Sequence, residues 1–230
     1  KSIAIPDSVT SIGDSAFYEC ESLTSITIPD SITSIGEAAF CRCTSLNNVT
    51  LPDSVTSIGD NAFEACTSLE SIDIPEGVTS IGNSAFQYCE NLTSIAIPDS
   101  VTSIGDNAFR ECESLTSVDF GENSQLTSIG YWAFQDCTSL ASIAIPDSVT
   151  SIGQQAFRGC TNLVSITIPD SVTEIDYYAF YECTSLTNVT FKGTKAQWNA
   201  IAKLANWNYG CGAITVTCTD GTVTVPANNG

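Results

Sequence analysis

Apolar residues keep the same places within a unit of 23 residues that recurs along most of the chain. In one copy the apolar positions are Leu46, Val49, Leu51, Val55, Ile58, Ala62, Phe63 and Cys66. An alanine followed by a phenylalanine marks each copy, and these phenylalanines are Phe17, Phe40, Phe63, Phe86, Phe109, Phe134, Phe157 and Phe180. They lie 23 residues apart except for one step of 25. A fixed period of this length is typical of a solenoid.

A single copy cannot enclose its own apolar side chains. Stacked copies place each leucine on the next leucine and each phenylalanine on the next, so the chain is predicted to bury one continuous core. The spacing L-x-x-I-x-I-P-x-x-V-x-x-I-G-x-x-A-F-x-x-C resembles the treponemal-type leucine-rich repeats of BspA-like bacterial surface proteins over residues 2–191. The resemblance implies a right-handed superhelix of short parallel strands with about eight 23-residue turns.

Each copy is predicted to begin with a short strand such as residues 25–28, in which the two isoleucines point inward. Pro29 and Asp30 are expected at the two central positions of a type I turn. After a second extended arm, Gly36 is expected to need a positive φ. Residues 37–43 are then expected to return as a helical turn.

The single step of 25 arises where residues 121–125 replace the usual proline corner. Insertions in surface loops cost little free energy. A longer corner loop is therefore favoured, and a bulge that contacts a ligand is the alternative.

The period stops after Phe191, and residues 192–230 are interpreted as a C-terminal cap on a solenoid of residues 1–191, within a single structural domain. Thr194 and Gln197 match a capping box at the start of a helix, whose apolar face is predicted to extend to Ala205. A C-terminal cap of this kind covers the apolar side chains that the last turn of a solenoid would otherwise expose.

A β-hairpin is predicted to follow this helix. Residues 214–218 and 222–225 alternate between apolar and polar side chains on either side of Asp220-Gly221, a strong two-residue turn signal. The segment 191–201 also resembles the closing segment of many such proteins from gut-dwelling bacteria.

Charge and hydropathy narrow the classes of partner. The 26 acidic and 7 basic residues give a net charge of -19, which disfavours nucleic acid and anionic membranes. No apolar run approaches the roughly 20 residues that span a bilayer. The chain has no methionine and begins inside a repeat strand. We therefore expect a trimmed, secreted or cell-surface protein whose signal peptide lay upstream.

Eight of the 11 cysteines occupy one repeat position. They are Cys20, Cys43, Cys66, Cys89, Cys112, Cys137, Cys160 and Cys183. In stacked strands the Cβ atoms of neighbouring cysteines lie about 4.8 Å apart, which is longer than the Cβ–Cβ distance that a disulfide prefers. The cysteines are therefore predicted to be buried and reduced. A disulfide between neighbouring turns is the alternative. Cys41, Cys211 and Cys218 lie outside this column.

Catalysis is not expected. The absence of histidine removes the Ser-His-Asp triad, the Cys-His pair and histidine metal ligands. No glycine-rich phosphate-binding motif is present. The sequence therefore predicts a protein that is not an enzyme and has no cofactor.

An acidic residue follows the turn proline, or the glycine that replaces it, in every copy. The column comprises Asp7, Asp30, Asp53, Glu76, Asp99, Glu122, Asp147 and Asp170. Turn preference alone explains these residues. Weak Ca²⁺ binding along this edge is the alternative, because neighbouring carboxylates repel one another and oxygen ligands suit calcium.

A recognition surface is the remaining candidate for function. Aromatic residues interrupt positions that most copies fill with polar residues, and two exposed strand positions are acidic. The candidates are Tyr131, Trp132, Tyr177, Tyr178, Tyr181, Asp73 and Asp119. Exposed aromatics are common interface anchors, whereas packing at the end of the solenoid is the alternative explanation.

The resemblance implies adhesion to host extracellular-matrix proteins or to other cells. A rigid spacer that displays another domain is one alternative. A carbohydrate-binding module that uses Tyr131, Trp132, Tyr177 and Tyr178 is another.

Overall fold

The computed structural model describes residues 1–228. It is a solenoid of about nine turns of about 23 residues, with stacked parallel strands and little helix. The predicted fold class is therefore confirmed, with about nine turns in place of about eight. The strands and the helix are β1 (Ser2–Ala4), β2 (Ser25–Thr27), β3 (Ser34–Ile35), β4 (Asn48–Thr50), β5 (Ser57–Ile58), β6 (Ser80–Ile81), β7 (Ser94–Ala96), β8 (Ser103–Ile104), β9 (Ser117–Asp119), β10 (Ser128–Ile129), β11 (Ser142–Ala144), β12 (Ser151–Ile152), β13 (Ser165–Ile168), β14 (Glu174–Ile175), β15 (Asn188–Phe191), α1 (Lys195–Ala200), β16 (Ala202–Lys203), β17 (Ile214–Cys218) and β18 (Gly221–Val225).

Most turns contribute one strand to each of two ladders, while Ile12 and Asp73 contribute a single bridge each. The first ladder contains β1-β2-β4, β7-β9 and β11-β13-β15-β17, and the second contains β3-β5-β6-β8 and β10-β12-β14-β16. All these pairs are parallel and join equivalent positions, as in Ile26 with Val49. The in-register pairing makes each column of the sequence a straight row of side chains.

The core follows from this register. Ile26 and Ile28 are buried whereas Thr27 is exposed, as the strand alternation predicted. The phenylalanine rings of successive turns stack with centroids 5.2–5.5 Å apart and planes within 9° of parallel. One apolar cluster extends from Ile12 to Cys218.

The proline corner is displaced by one residue from its predicted position. The Ile32 N–H donates to the Pro29 carbonyl oxygen at 3.0 Å, so proline is the first residue of the turn and not the second. The hydroxyl of Ser54, two residues after the next turn's proline, donates to the Ile32 carbonyl at 2.6 Å. The corner is thus tied to the preceding turn as well as to itself.

The positive φ predicted for Gly36 is wrong, because Gly36 is not among the residues with positive φ. A Cβ atom at this position would lie 2.7 Å from the Gly13 carbonyl carbon of the preceding turn. Glycine is therefore required by the close approach of two backbones rather than by its own backbone conformation.

The helical return predicted for residues 37–43 is also wrong. Ala38 and Arg42 have φ of 50° and 60°, and left-handed residues interrupt a right-handed helix. The N–H groups of residues 38, 40 and 42 donate to carbonyls of the following turn, while those of residues 39, 41 and 43 donate three residues back. This alternation uses half of the donors to bind neighbouring turns together.

The C-terminal residues both continue the solenoid and end it. The predicted capping box at Thr194 is present, but α1 ends at Ala200, because the next residues form β16 and pair with β14. The predicted hairpin forms between β17 and β18, but its two-residue loop is Thr219-Asp220 and not Asp220-Gly221, because Cys218 pairs with Gly221. β17 also pairs in parallel with β15, so the residues assigned to the cap include a ninth turn. The division of the chain at residue 191 stays a prediction.

Candidate functional site

Two columns of side chains flank the Ala-Phe pair on the return side of the first eight turns. The residue immediately before each Ala-Phe pair forms the pre-alanine column, which comprises Ser15, Ala38, Asn61, Ser84, Asn107, Trp132, Gln155 and Tyr178. The residue immediately after the pair forms the post-phenylalanine column, which comprises Tyr18, Cys41, Glu64, Gln87, Arg110, Gln135, Arg158 and Tyr181. In most turns these positions hold small or polar residues.

The ninth turn adds one residue to each column. Glu182 N–H donates to the Tyr209 carbonyl as Gly159 N–H donates to that of Tyr181, which places Tyr209 in the post-phenylalanine column. Asn206 takes the pre-alanine position and has a φ of 58°, close to the 59° of Tyr178. The last three turns therefore present six residues in two parallel rows.

These two rows enclose a cleft of about 380 Å³. Its lining residues are Gln155, Arg158, Tyr178, Tyr181, Asn206 and Tyr209. All six belong to the two columns, so the regular stacking of turns 7–9 builds the cleft without any additional loop. We call it the tyrosine cleft.

Aromatic packing forms one wall of the tyrosine cleft. Tyr181 stacks on Tyr209 with centroids 5.3 Å apart and planes 9° from parallel. The Arg158 guanidinium carbon lies 5.1 Å from the centre of the Tyr181 ring. Tyr178 meets Tyr181 edge to face at 5.5 Å. Such contacts stabilise the arrangement by about 0.5–1.5 kcal/mol each and hold the rings in place before any ligand binds.

Polar groups complete the tyrosine cleft. Arg158 donates through Nη1 to Oε1 of Gln155 at 2.8 Å, and Asn206 donates through Nδ2 to the Tyr178 hydroxyl at 3.4 Å. Within residues 1–228, Arg42 and Arg110 form ion pairs with carboxylates, whereas Arg158 forms none. Arg158 thus keeps most of its five N–H donors for another partner.

The structure brings together only part of the predicted aromatic set. Tyr178 and Tyr181 line the cleft, while the neighbouring Tyr177 is 45% exposed and lies outside it. Tyr131 and Trp132 form a separate edge-to-face pair at 6.0 Å, also outside the cleft. The five aromatic candidates therefore do not form one continuous surface.

Four residues of the cleft escaped the sequence reasoning. Asn206 follows Tyr178 by 28 residues rather than 23, so a search at fixed period misses the ninth turn and with it Tyr209. Gln155 and Arg158 belong to polar positions that vary from turn to turn. Extending the repeat alignment past residue 191 with a longer ninth copy is the signal that would have found Asn206 and Tyr209.

The two acidic candidates on the strand face lie apart from this cleft. Asp73 pairs with Thr50 and Asp119 with Ala96 in the first ladder, and both side chains are exposed. Asp119 accepts the Gly121 N–H at 3.0 Å, at the edge of a depression of about 550 Å³ beside the 121–125 loop. That segment is a corner loop; ligand contact by it stays a prediction.

The acidic column is partly engaged by the protein itself. Asp99 accepts the Asn123 N–H at 3.1 Å, and Asp147 pairs with Lys192. In the described part of the chain, no three His, Cys, Asp or Glu side chains are grouped as a metal-binding cluster. Weak calcium binding at this edge stays a prediction.

The cysteine column forms a row of thiols that are buried from Cys43 onward, while Cys20 in the first turn is partly buried. Within residues 1–228 all the cysteines are free, as predicted for the ladder. The Cys66 thiol donates to the Phe40 carbonyl of the preceding turn at 3.2 Å. Cys211 repeats this bond with Phe180, so its placement outside the column was wrong. Burial raises the pKa of the Cys43 thiol to about 12 and that of Cys211 to about 11, which leaves both protonated at neutral pH.

In residues 1–228, no helix has both the length and the apolar character to cross a bilayer. Curated proteins give no match to the chain. Solved structures of bacterial leucine-rich repeat proteins do match it. One from Bacteroides ovatus is 31% identical, with a TM-score of 0.74, and the match covers 95% of this chain and 63% of that chain.

Two further solved structures are similar. The leucine-rich repeat protein of T. pallidum is 31% identical, with a TM-score of 0.65, over 70% of this chain and 77% of that chain. A leucine-rich cell surface protein from Faecalibacterium prausnitzii is 30% identical, with a TM-score of 0.56, over 87% of this chain and 81% of that chain. The family model described as the BspA type leucine rich repeat region matches six copies, over residues 1–116 and 79–203. The chain therefore belongs to the BspA-type leucine-rich repeat family.

Proposed function

We propose that this chain is a non-catalytic binding protein of the bacterial cell surface that attaches to host extracellular-matrix proteins or to other cells. Family membership and a repeat fold suited to protein binding support this proposal. The F. prausnitzii relative is itself described as a cell surface protein. The observation that carries the proposal is the tyrosine cleft.

The residues of the cleft are not required by the stacking of the turns. Asn61 and Glu64 occupy the positions of Tyr178 and Tyr181 in an earlier turn, above the same alanine and phenylalanine ladder. Tyrosine and arginine are the residue types that anchor interfaces, whereas most of a contact surface contributes little. A cluster of them on three consecutive turns supports selection for binding.

The frame around the cleft is suited to this role. Each turn is held to the next by backbone hydrogen bonds in both ladders and along the return. A ligand that binds such a preorganised surface does not lose affinity to the ordering of loops. The solenoid can therefore present a small number of side chains in fixed positions to a large partner.

Binding to immobilised fibronectin, fibrinogen and collagen and to whole cells tests the proposal. The double variant Tyr178→Asn and Tyr181→Gln restores residues found in other turns at these positions and should fold. It is expected to bind at least about tenfold more weakly, since truncating a buried interface aromatic commonly costs 2 kcal/mol or more.

Tyr177→Gln is the matched control, because it removes an exposed tyrosine of the same turn that lies outside the cleft and introduces the residue found at Gln154. It is expected to bind normally. If the wild-type chain binds none of these surfaces, the adhesion proposal is wrong and the role of a rigid spacer gains support.

A further inference from the structure

We infer that the tyrosine cleft binds an uncharged glycan, with a sugar ring packed against its tyrosine wall. The inference rests on the proposed function and names the ligand class of the same site. On a host matrix glycoprotein or a cell surface, the ligand would be a neutral terminal sugar of the attached glycans.

The shape of the wall suits a sugar ring. A pyranose presents one face of C–H groups, which are slightly positive and pack on the negative face of an aromatic ring. Tyr181 is stacked on Tyr209, and Tyr178 stands at 73° to Tyr181. The Arg158 guanidinium also lies over the Tyr181 ring, so the two faces of Tyr181 are covered by the turns before and after it. The Tyr178 ring is stacked on neither group, so one sugar ring can pack on Tyr178 and against the edges of the Tyr181–Tyr209 pair.

The polar groups suit the hydroxyls of a sugar. The guanidinium of Arg158 is planar and carries several N–H donors side by side. The side-chain amides of Gln155 and Asn206 are planar as well, and each has an NH2 donor beside a carbonyl acceptor. Two neighbouring hydroxyls of a pyranose can bind such a group together, in the way that a bidentate partner does. The Arg158–Gln155 hydrogen bond at 2.8 Å keeps the guanidinium in place while leaving its other N–H groups available.

Charge disfavours an extended polyanion and a cationic ligand. The net charge of -19 repels an extended polyanion such as an acidic polysaccharide. Within the cleft, Arg158 has no carboxylate partner among residues 1–228 and so repels a cationic peptide side chain at short range. An uncharged polyol meets neither repulsion.

The size of the cleft limits the ligand to a short unit. A volume of about 380 Å³ lies at the lower end of the range for small-molecule sites, about 300–1,000 Å³. The three turns span roughly 10 Å at the spacing of parallel strands. One or two sugar rings fill this length, so recognition is expected at the end of a glycan rather than along it.

Calorimetric titration of the full chain tests the ligand class. The probes are neutral oligosaccharides of glucose, galactose, mannose and N-acetylglucosamine, with sialylated and uronic acid oligosaccharides as the acidic set. We expect at least one neutral series to bind and the acidic set to bind about tenfold more weakly or not at all. Exclusive binding of acidic sugars, or no binding of any neutral series, overturns the inference.

Single variants test the location of the site. Tyr181→Gln and Arg158→Gln introduce the residue found at Gln87 and Gln135 in the same column, and each is expected to weaken glycan binding about tenfold or more. Tyr18→Gln changes an exposed tyrosine of that column in the first turn and is expected to change nothing. Equal affinities for all three variants and the wild type would place the sugar elsewhere.

Enzymatic deglycosylation of the matrix proteins separates this inference from the proposed function. If binding to fibronectin and collagen disappears once their glycans are removed, both hold. If it persists at full strength and still depends on Tyr178 and Tyr181, the chain is an adhesin that recognises protein in this cleft, and the glycan inference is wrong.

Discussion

Turns 2–5 and turns 7 and 8 share one interior and differ in their outer columns. The phenylalanine rings stack 5.4 Å apart between Phe63 and Phe86 and again between Phe157 and Phe180. The pre-alanine and post-phenylalanine columns, however, hold Asn61 with Glu64 in an early turn and tyrosines in the eighth. The interior of a turn is thus fixed by its neighbours, while the outer columns are free to carry a ligand site.

In the ninth turn the interior also changes, so the contrast between a constant interior and variable outer columns ends there. The Phe180 N–H donates to the Trp207 carbonyl, as Phe157 N–H donates to that of Ala179, so Trp207 takes the alanine position. Its ring meets Phe180 at 87° and stops the parallel stack. Asn208 then replaces the next phenylalanine. The interior pattern changes only where no further turn of this kind follows among the described residues, and there the outer column still contributes Tyr209.

The largest effect is expected from ionising the interior thiols. Burial raises the pKa of ladder thiols such as Cys112 and Cys137 well above 9.0, whereas the unfolded chain ionises near that value. The stabilisation is complete below pH 9 and is lost as the pH rises toward the folded-state pKa. Each such thiol loses roughly 1 kcal/mol of stabilisation by pH 10, so the six ladder thiols from Cys66 to Cys183 together lose several kcal/mol. Urea unfolding between pH 7 and 10 measures this loss.

A matched variant isolates the thiols from other groups that titrate at high pH. Replacing Cys112 and Cys137 by alanine should reduce the pH dependence by about two protons per molecule. At pH 7 the native ladder thiols are expected not to react with a thiol reagent, with the partly buried Cys20 reacting first. Rapid labelling of the whole ladder in the folded protein would contradict this interpretation.

The next largest effect is expected from a cavity in the phenylalanine ladder. Phe86 is fully buried between Phe63 and Phe109, so Phe86→Ala should lower the free energy of unfolding by about 3–5 kcal/mol. Phe17 stacks on one phenylalanine ring, that of Phe40, and is partly buried, so Phe17→Ala should cost clearly less. Equal losses at the two positions would mean that the ladder does not stabilise the chain turn by turn.

A smaller loss is expected where two turns approach through glycine. A Cβ at Gly82 would lie 2.5 Å from the Gly59 carbonyl carbon, whereas one at Gly13 would meet nothing within 4 Å. Gly82→Ala should therefore destabilise by about 1–3 kcal/mol, and Gly13→Ala should be neutral or slightly stabilising. Chemical denaturation of both variants measures the difference. A neutral Gly82→Ala would show that the turns can separate without cost.

The repeated features were predicted well because each position of the repeat unit occurs in several copies, and the copies agree on whether that position is apolar or polar. The strand alternation at Ile26 and Ile28 and the buried cysteine column needed only the period. The role of Gly36 did not follow from the sequence, because a glycine required for close approach and one required for positive φ look the same. The return through Ala38 and Arg42 was missed for a related reason, since its left-handed residues are neither glycine nor asparagine.

The candidate site was predicted only in part, and the reason is geometric. Tyr178 and Tyr181 stood out because they break the pattern of their columns. Arg158 became relevant only when the structure placed it over Tyr181, 23 residues further along the chain. The longer ninth copy concealed Tyr209 from a search at fixed period. A site that spans several turns is visible in the sequence only after the turns are aligned correctly.

The smallest change in stability is expected from exchanging outer-column residues between the early turns and the turns of the tyrosine cleft. This exchange also tests the difference between the two regions most directly. Tyr178 has a φ of 59° and Asn61 one of 55°. Asparagine tolerates this left-handed conformation better than tyrosine does. Asn61→Tyr should therefore destabilise by about 0.5–1 kcal/mol. Tyr178→Asn should leave the stability unchanged within about 0.5 kcal/mol, because relief of backbone strain offsets the lost contact with Tyr181.

Paired measurements of unfolding and of ligand binding on these two variants test whether the eighth turn accepts strain in exchange for binding. A protein that retains a strained tyrosine only for its ligand loses affinity but no stability when asparagine replaces it. If Tyr178→Asn instead unfolds as easily as a core variant, the tyrosine is part of the packing at the end of the solenoid. The cleft would then be a consequence of that packing, and the outer columns would not be free.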